Sequence, residues 1–311
     1  MTKIMWKPLL LLLFVTGCTA AEDITCTYYQ ASVRYNSTSG RTMHLCRIDG
    51  IDYELPEDFL ADVEELDFES GSTQLQFHDM QPNDETKTID VMTDTPSMAV
   101  LPQLARLEVS RTSGTRNVLV VRVISDAGGS QARLEPSFTR EKLRNNIFGD
   151  PNNPYRLNFN LQYELCSNGN LKFEPASHNG DSMGVFDLVL TENLRNQDFS
   201  LEVETALSQA FSLNFGAASQ FDHVMFCLPR GMNEEFIAFA TLNDRFSFYS
   251  DPWCGIMSAS MHEIGHNMGM RKFGDIYSFY GDRLPMTHIL VFFLQGILGN
   301  LVNESTTMKA V

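Results

Sequence analysis

Two patterns of apolar and polar positions divide this chain. Up to about residue 112 the apolar positions come in short runs broken by turn-prone residues. Thr27 to Tyr35 and Ser72 to Phe77 read as strands, with turns at Ser39-Gly40 and Gly71. Thr93 to Pro102 contains Pro96 and Pro102 and reads as a linker. From Arg116 the pattern changes. Asn117 to Ile124 is a mostly apolar run rich in β-branched residues, as expected of a buried central strand. Ser137 to Phe148 reads as a helix capped by Ser137 or Thr139, and Arg156 to Leu165 alternates like a strand. Val185 to Leu190 reads as a strand, Asn193 to Phe211 as a helix and Phe221 to Leu228 as a strand. Alternating strands and helices predict an α/β class, here an α+β catalytic unit preceded by a small β-rich module.

The two ends read differently from the middle. Lys3 and Lys7, the apolar run Leu9 to Val15 and Thr19-Ala20-Ala21 have the form of a secretory signal peptide over residues 1–21. Val15-Thr16-Gly17-Cys18 also fits a bacterial lipobox, in which Cys18 would carry the lipid. Leu284 to Val302 is strongly apolar and long enough to reach across a bilayer with distortion, so a membrane anchor and a core helix both stay open for residues 284–302. The expected organisation is a signal peptide at 1–21, an acidic β-rich module or pro-region at 22–112, a catalytic unit at 113–283 and an apolar segment with a polar tail at 284–311.

Charge narrows the function classes. The formal net charge is −16, and fifteen acidic residues between Asp49 and Asp94 face only Lys87. Such a surface repels phosphates, so nucleic acid is excluded as a partner. An acidic stretch of this kind suits either a solvated accessory face or a detachable pro-segment. Past the signal peptide the cysteines are Cys26, Cys46, Cys166, Cys227 and Cys254. Export favours disulfides. Spacing suggests Cys26–Cys46 as a local pair and Cys227–Cys254 as a brace ahead of the last helix, and the odd count leaves one thiol free or paired with a partner outside this chain. Asn36-Ser37-Thr38 and Asn303-Glu304-Ser305 are glycosylation sequons.

The strongest chemical signal is His262-Glu263-Ile264-Gly265-His266. On a helix, residues four apart share a face with Cβ atoms about 6 Å apart. Two imidazoles so placed can each bring a nitrogen to about 2.0–2.1 Å from one Zn2+. Glu263 stands where its carboxylate reaches a zinc-bound water without ligating the metal. Zinc brings the pKa of such a water to about 7, and the carboxylate takes its proton as it attacks a peptide carbonyl. Ser258 to Met261 leads into this helix and Gly269 is placed to end it.

Three stretches resemble the gametolysin-like metalloproteases of the metzincin group. They are Val118 to Val123 with Asn145-Asn146-Ile147-Phe148-Gly149; Cys166-Ser167-Asn168-Gly169-Asn170-Leu171-Lys172-Phe173; and Phe221 to Gly231, continuing through Phe236 to Ala240 and Trp253-Cys254 to Asn267-Met268-Gly269. The resemblance covers roughly residues 115–270. It implies a secreted zinc endopeptidase acting on extracellular-matrix or cell-wall proteins and glycoproteins, with His262 and His266 as zinc ligands and Glu263 as general base. The family pattern also places a third histidine six residues after the second, and here that position is Lys272. A protonated lysine cannot ligate zinc. His288, Asp275 and Asp282 are the candidate replacements, and Met286 the candidate for the methionine turn. The rival expectation is a catalytically inactive binding protein that keeps the fold without a complete metal site.

Overall fold

A computed structural model describes residues 23–35, 40–56, 59, 68–92, 97–101, 113–128, 133–233 and 236–270. The expected signal peptide, residues 93–96 and 102 of the expected linker, Lys272, Asp275, Asp282, Met286, His288 and the apolar segment 284–302 all lie outside the described residues. No helix among the described residues is long and apolar enough to cross a membrane.

The N-terminal strands are β1 (Ile24–Arg34), β2 (Gly40–Ile48), β3 (Ile51–Glu54), β4 (Gln74–His78), β5 (Met80–Asn83), β6 (Thr88–Val91) and β7 (Ser97–Leu101). Then follow β8 (Gly114–Ser125), α1 (Arg140–Phe148), α2 (Phe159–Cys166), β9 (Leu171–Pro175), β10 (Val185–Leu190), α3 (Leu201–Phe215), β11 (His223–Cys227), β12 (Ala238–Thr241), β13 (Phe246–Tyr249) and α4 (Met257–Asn267). The main path of the sheet runs β10-β8-β11-β13-β12-β1-β2-β3-β6-β5, and β9 pairs with the first part of β8. β9, β10 and β11 run parallel to β8 and β13 runs parallel to β11, whereas β12 is antiparallel to β13.

The expected central strand is β8. It is buried from Val118 onward because strands flank both its edges and helices cover both its faces. Two cations of β8 are buried: Arg122 is matched by Asp187 at 2.5 Å and Glu135 at 3.4 Å, and Arg116 by Asp222 at 3.4 Å. On one face α3 packs Leu207, Phe211 and Phe215 onto Leu119, Val121, Phe226 and Phe248. On the other, α1, α2 and α4 pack Leu143, Ile147, Tyr163, Met261 and Ile264 onto Val118, Val120, Met225 and Tyr249. The disulfides Cys26–Cys46 and Cys227–Cys254 are both formed, and Cys166 is the free thiol among the described residues.

Three segments depart from expectation. Ser97–Leu101, read as part of a linker, is strand β7, paired antiparallel with β4 from Gln74 to His78. Residues 156–165 do not form a strand: Phe159–Cys166 is helix α2. Asn158 caps it, its Oδ1 accepting from Leu161 N at 2.9 Å. The buried set Phe159, Gln162, Tyr163 and Cys166 follows the helical period, while Leu157 and Leu165 of the alternating set are exposed. The Asn158 cap and aromatic packing of Phe159 and Tyr163 on Phe173 override the alternation. The third departure is the start of α3, which lies at Leu201 rather than Asn193. Asn196 takes φ 56° and Ser200 provides the cap, so the preceding residues cannot continue the helix.

Candidate metal centre on helix α4

Helix α4 carries the H-E-x-x-H sequence and is buried along most of its length. It ends as the sequence suggests. Gly269 adopts φ 85°, its N–H donates to His266 O at 2.8 Å, and Met270 N–H donates to Gly265 O at 3.0 Å. This crossed pair is a Schellman cap, which needs a residue tolerant of left-handed backbone at position 269. A Cβ there would also meet Asn243 Oδ1 at 2.2 Å. The cap carries Met270 O back over the helix, where it lies 2.9 Å from His266 Nδ1.

That contact fixes the imidazole. With Nδ1–H donating to Met270 O, Nε2 of His266 keeps its lone pair. His262 Nε2 lies 3.0 Å from it, with the two rings at 89° to each other. Two nitrogens bound to one tetrahedral zinc at 2.0–2.1 Å stand about 3.3 Å apart. The two imidazoles therefore fit a shared Zn2+ with an adjustment of a few tenths of an ångström. Among the described residues no third His, Cys, Asp or Glu groups with them. Lys272 and its candidate replacements lie beyond residue 270, outside the described residues.

Glu263 is 1% exposed, one residue along the same helix. Tyr249 of β13 is fully buried beside it. Burial first, and the Glu263 carboxylate second, hold the Tyr249 phenol well above its ordinary pKa, so it stays protonated. Tyr163 donates from Oη to Met261 O at 2.9 Å, one residue before His262. Sequence patterns single out neither tyrosine, because an aromatic residue in a strand or helix is ordinarily core.

Asn267 ties the helix to the sheet. Its Nδ2 donates to Thr241 O at 3.0 Å and to Phe246 O at 2.9 Å, the facing ends of β12 and β13. Asn243 N–H, in the turn between them, donates to His266 O at 3.2 Å. His223 of β11 is fully buried rather than a member of the centre. Burial pushes it down to about 4, with the Asp222 charge pulling the other way, so it is neutral. A cleft lined by Val33, Arg41, Met43, Asp198 and Phe236 includes none of the motif residues.

A model of the gametolysin peptidase M11 family matches residues 117–289, a span that includes the whole of α4. No curated protein and no solved structure matches the chain.

Proposed function

The chain belongs to the gametolysin peptidase M11 family, and from that premise we propose that it is a secreted zinc-dependent metalloendopeptidase acting on extracellular-matrix or cell-wall proteins and glycoproteins. The observation that carries this reading is the convergence of His262 and His266 Nε2 to 3.0 Å, with the second ring oriented by Met270 O. In this reading the two histidines hold Zn2+ through Nε2. Zn2+, when bound, supplies a Lewis acid that brings the pKa of a water to about 7 and polarises a peptide carbonyl. Glu263 accepts a proton from the attacking water and passes it to the leaving amine. Asn267 and the Schellman cap hold the helix end, so both imidazoles keep their aim. A third donor comes from beyond residue 270, from His288, Asp275 or Asp282, since an ammonium at Lys272 has no lone pair to give.

The test joins metal content with cleavage. Elemental mass spectrometry of the purified, dialysed protein should find about one zinc per chain, the ratio of a three-ligand site. Glu263→Gln should keep that zinc and lose cleavage of a fluorophore-labelled denatured protein by about 10²–10⁴-fold. His266→Ala should lose the zinc itself. Cleavage by Glu263→Gln at the wild-type rate would refute the role given to that carboxylate. A wild-type chain that holds no zinc would favour the inactive binding protein that Lys272 suggests.

A further inference from the structure

His223 opens β11 on the face of the sheet that α4 covers, with the ring of Phe173 centred 5.7 Å from its own. It is fully buried, and Val224, Met225 and Phe226 after it are apolar and fully buried too. A leucine would fill such a place without the cost of taking an imidazole out of water. The neutral ring carries one N–H donor and one acceptor nitrogen, and a buried donor needs a partner. The charged groups that act on it are Asp222, Arg116 and Arg245. All three are engaged elsewhere. Asp222 accepts from Asn117 N–H at 2.8 Å and from Arg116 at 3.4 Å, and Arg245 donates to Ala218 O and Phe221 O. Neither arginine can accept a hydrogen bond.

An acceptor stands on α4. Asn267 is fully buried, and both contacts of its amide nitrogen are carbonyl oxygens, Thr241 O and Phe246 O, so the amide sits one way round. Both amide hydrogens are thereby engaged, and Oδ1 is the part of the side chain left to meet another donor. Among the described residues, Oδ1 accepts no hydrogen bond of ordinary length and angle, and neither ring nitrogen of His223 makes one. The two groups nevertheless face each other. The Asn267 side chain raises the His223 pKa against the larger effect of burial, as an acceptor facing a ring N–H does. A rotation of the imidazole within its broad χ2 well closes the bond and satisfies both groups.

We propose that His223 is a positioning residue for the candidate metal centre: a ring N–H donates to Asn267 Oδ1, and this bond, with the two from Asn267 Nδ2, sets the last turn of α4 and so the aim of His266. Asn267 directly follows His266 in that turn. Its amide then joins the helix end to β11, β12 and β13 together, and the third bond fixes the amide plane that two bonds at one end leave free to pivot. The role in a metal centre rests on the zinc reading above; the bond itself does not.

The test reads the rings first and the metal second. The full chain, labelled with 15N in its histidine rings and freed of metal by a chelator, is studied by long-range 1H–15N NMR at pH 7. The expected wild-type spectrum shows His223 in one neutral tautomer with a slowly exchanging N–H, and His266 in the tautomer that donates from Nδ1. Asn267→Ala should release the His223 N–H to fast exchange. His223→Leu should let His266 average between tautomers, and His223→Gln, whose amide can donate to the same Oδ1, should restore it. Zn2+ affinity by chelator competition follows. His223→Leu should weaken it about tenfold, as losses of supporting hydrogen bonds do. His223→Gln should stay within about twofold of wild type, the scatter of independent substitutions. In an Asn267→Ala background His223→Leu should add nothing further. A wild-type His223 ring that averages between tautomers overturns the proposal, and this reading stands even where His223→Leu fails to fold. Equal effects of leucine and glutamine at position 223 also overturn it, because the ring then only fills space. A wild-type chain that binds no zinc would count against the peptidase reading alone, since both ring signatures are read in metal-free protein.

Discussion

At the scale of single residues, the site depends on groups that do no chemistry themselves. Met270 O sets the tautomer of His266, and Asn267 holds the helix end against Thr241 and Phe246. His223 shows how burial alone sets a charge state. Its folded pKa, about 4, lies below its ordinary 6.5. Between those values the unfolded chain binds more protons than the folded one, so stability is fully present above pH 6.5 and is lost as pH falls towards 4. The difference corresponds to roughly 3 kcal/mol at most. Melting curves between pH 4 and 8 should show His223→Leu losing less stability on acidification than the wild type; parallel curves would assign the acid limb to other groups.

At the scale of elements, α4 is defined more by its end than by its beginning. Its N-terminus has no side-chain cap, whereas its C-terminus has the Schellman pair, the Asn267 bonds and the close approach of Gly269 to Asn243. Asn267→Ala takes the side-chain donor from the Thr241 and Phe246 carbonyls, and a buried polar group that loses its partner costs about 1–3 kcal/mol. The expected result is a lower melting temperature together with weaker zinc retention in a chelator competition. Asn267→Ala with unchanged zinc affinity would mean that the cap alone aims the histidines. Helix α2 makes the complementary point. Its apolar residues alternate along the sequence, yet a cap at Asn158 and a partner at Phe173 turn that stretch into a helix.

At the scale of the whole molecule, the N-terminal strands and the half that carries α4 share one sheet; Ala31, Val33 and Leu45 join the core beneath α3, while Tyr28, Leu75, Phe77 and Ile89 belong to a separate N-terminal core. Their seam holds Arg47, Asp52, Asp244 and Glu204. Glu204 of α3 is 5% exposed and its Oε2 has no hydrogen-bond partner. Burial first, then the Asp52 and Asp244 charges, hold its carboxyl well above the usual carboxylate range, and Arg47 opposes them. A raised folded pKa means that the stabilising proton is present at low pH and is lost as pH rises through that value. Glu204→Gln should therefore leave stability near pH 5 little changed and raise it increasingly towards pH 9, as read by chemical denaturation. A wild-type chain with no alkaline weakening relative to Glu204→Gln would place the proton elsewhere.

What the sequence determined by itself was whatever is encoded locally. The spacing of His262 and His266 fixes their common helical face, Gly269 ends that helix, and the β-branched run at Asn117 to Ile124 reads as a strand buried on both sides. The two disulfides formed are the pairs that sequence spacing suggested, Cys26–Cys46 and Cys227–Cys254. Only the tertiary structure decided the rest. The carbonyl at Met270 that orients His266, the tyrosine beside Glu263 and the pairing of β1 with β12 join residues distant in sequence or opposed across a backbone turn, and no local pattern reports them. β12 itself is four residues long, too short for periodicity to announce. Its place beside α4 is set by β13 on one side of it and β1 on the other.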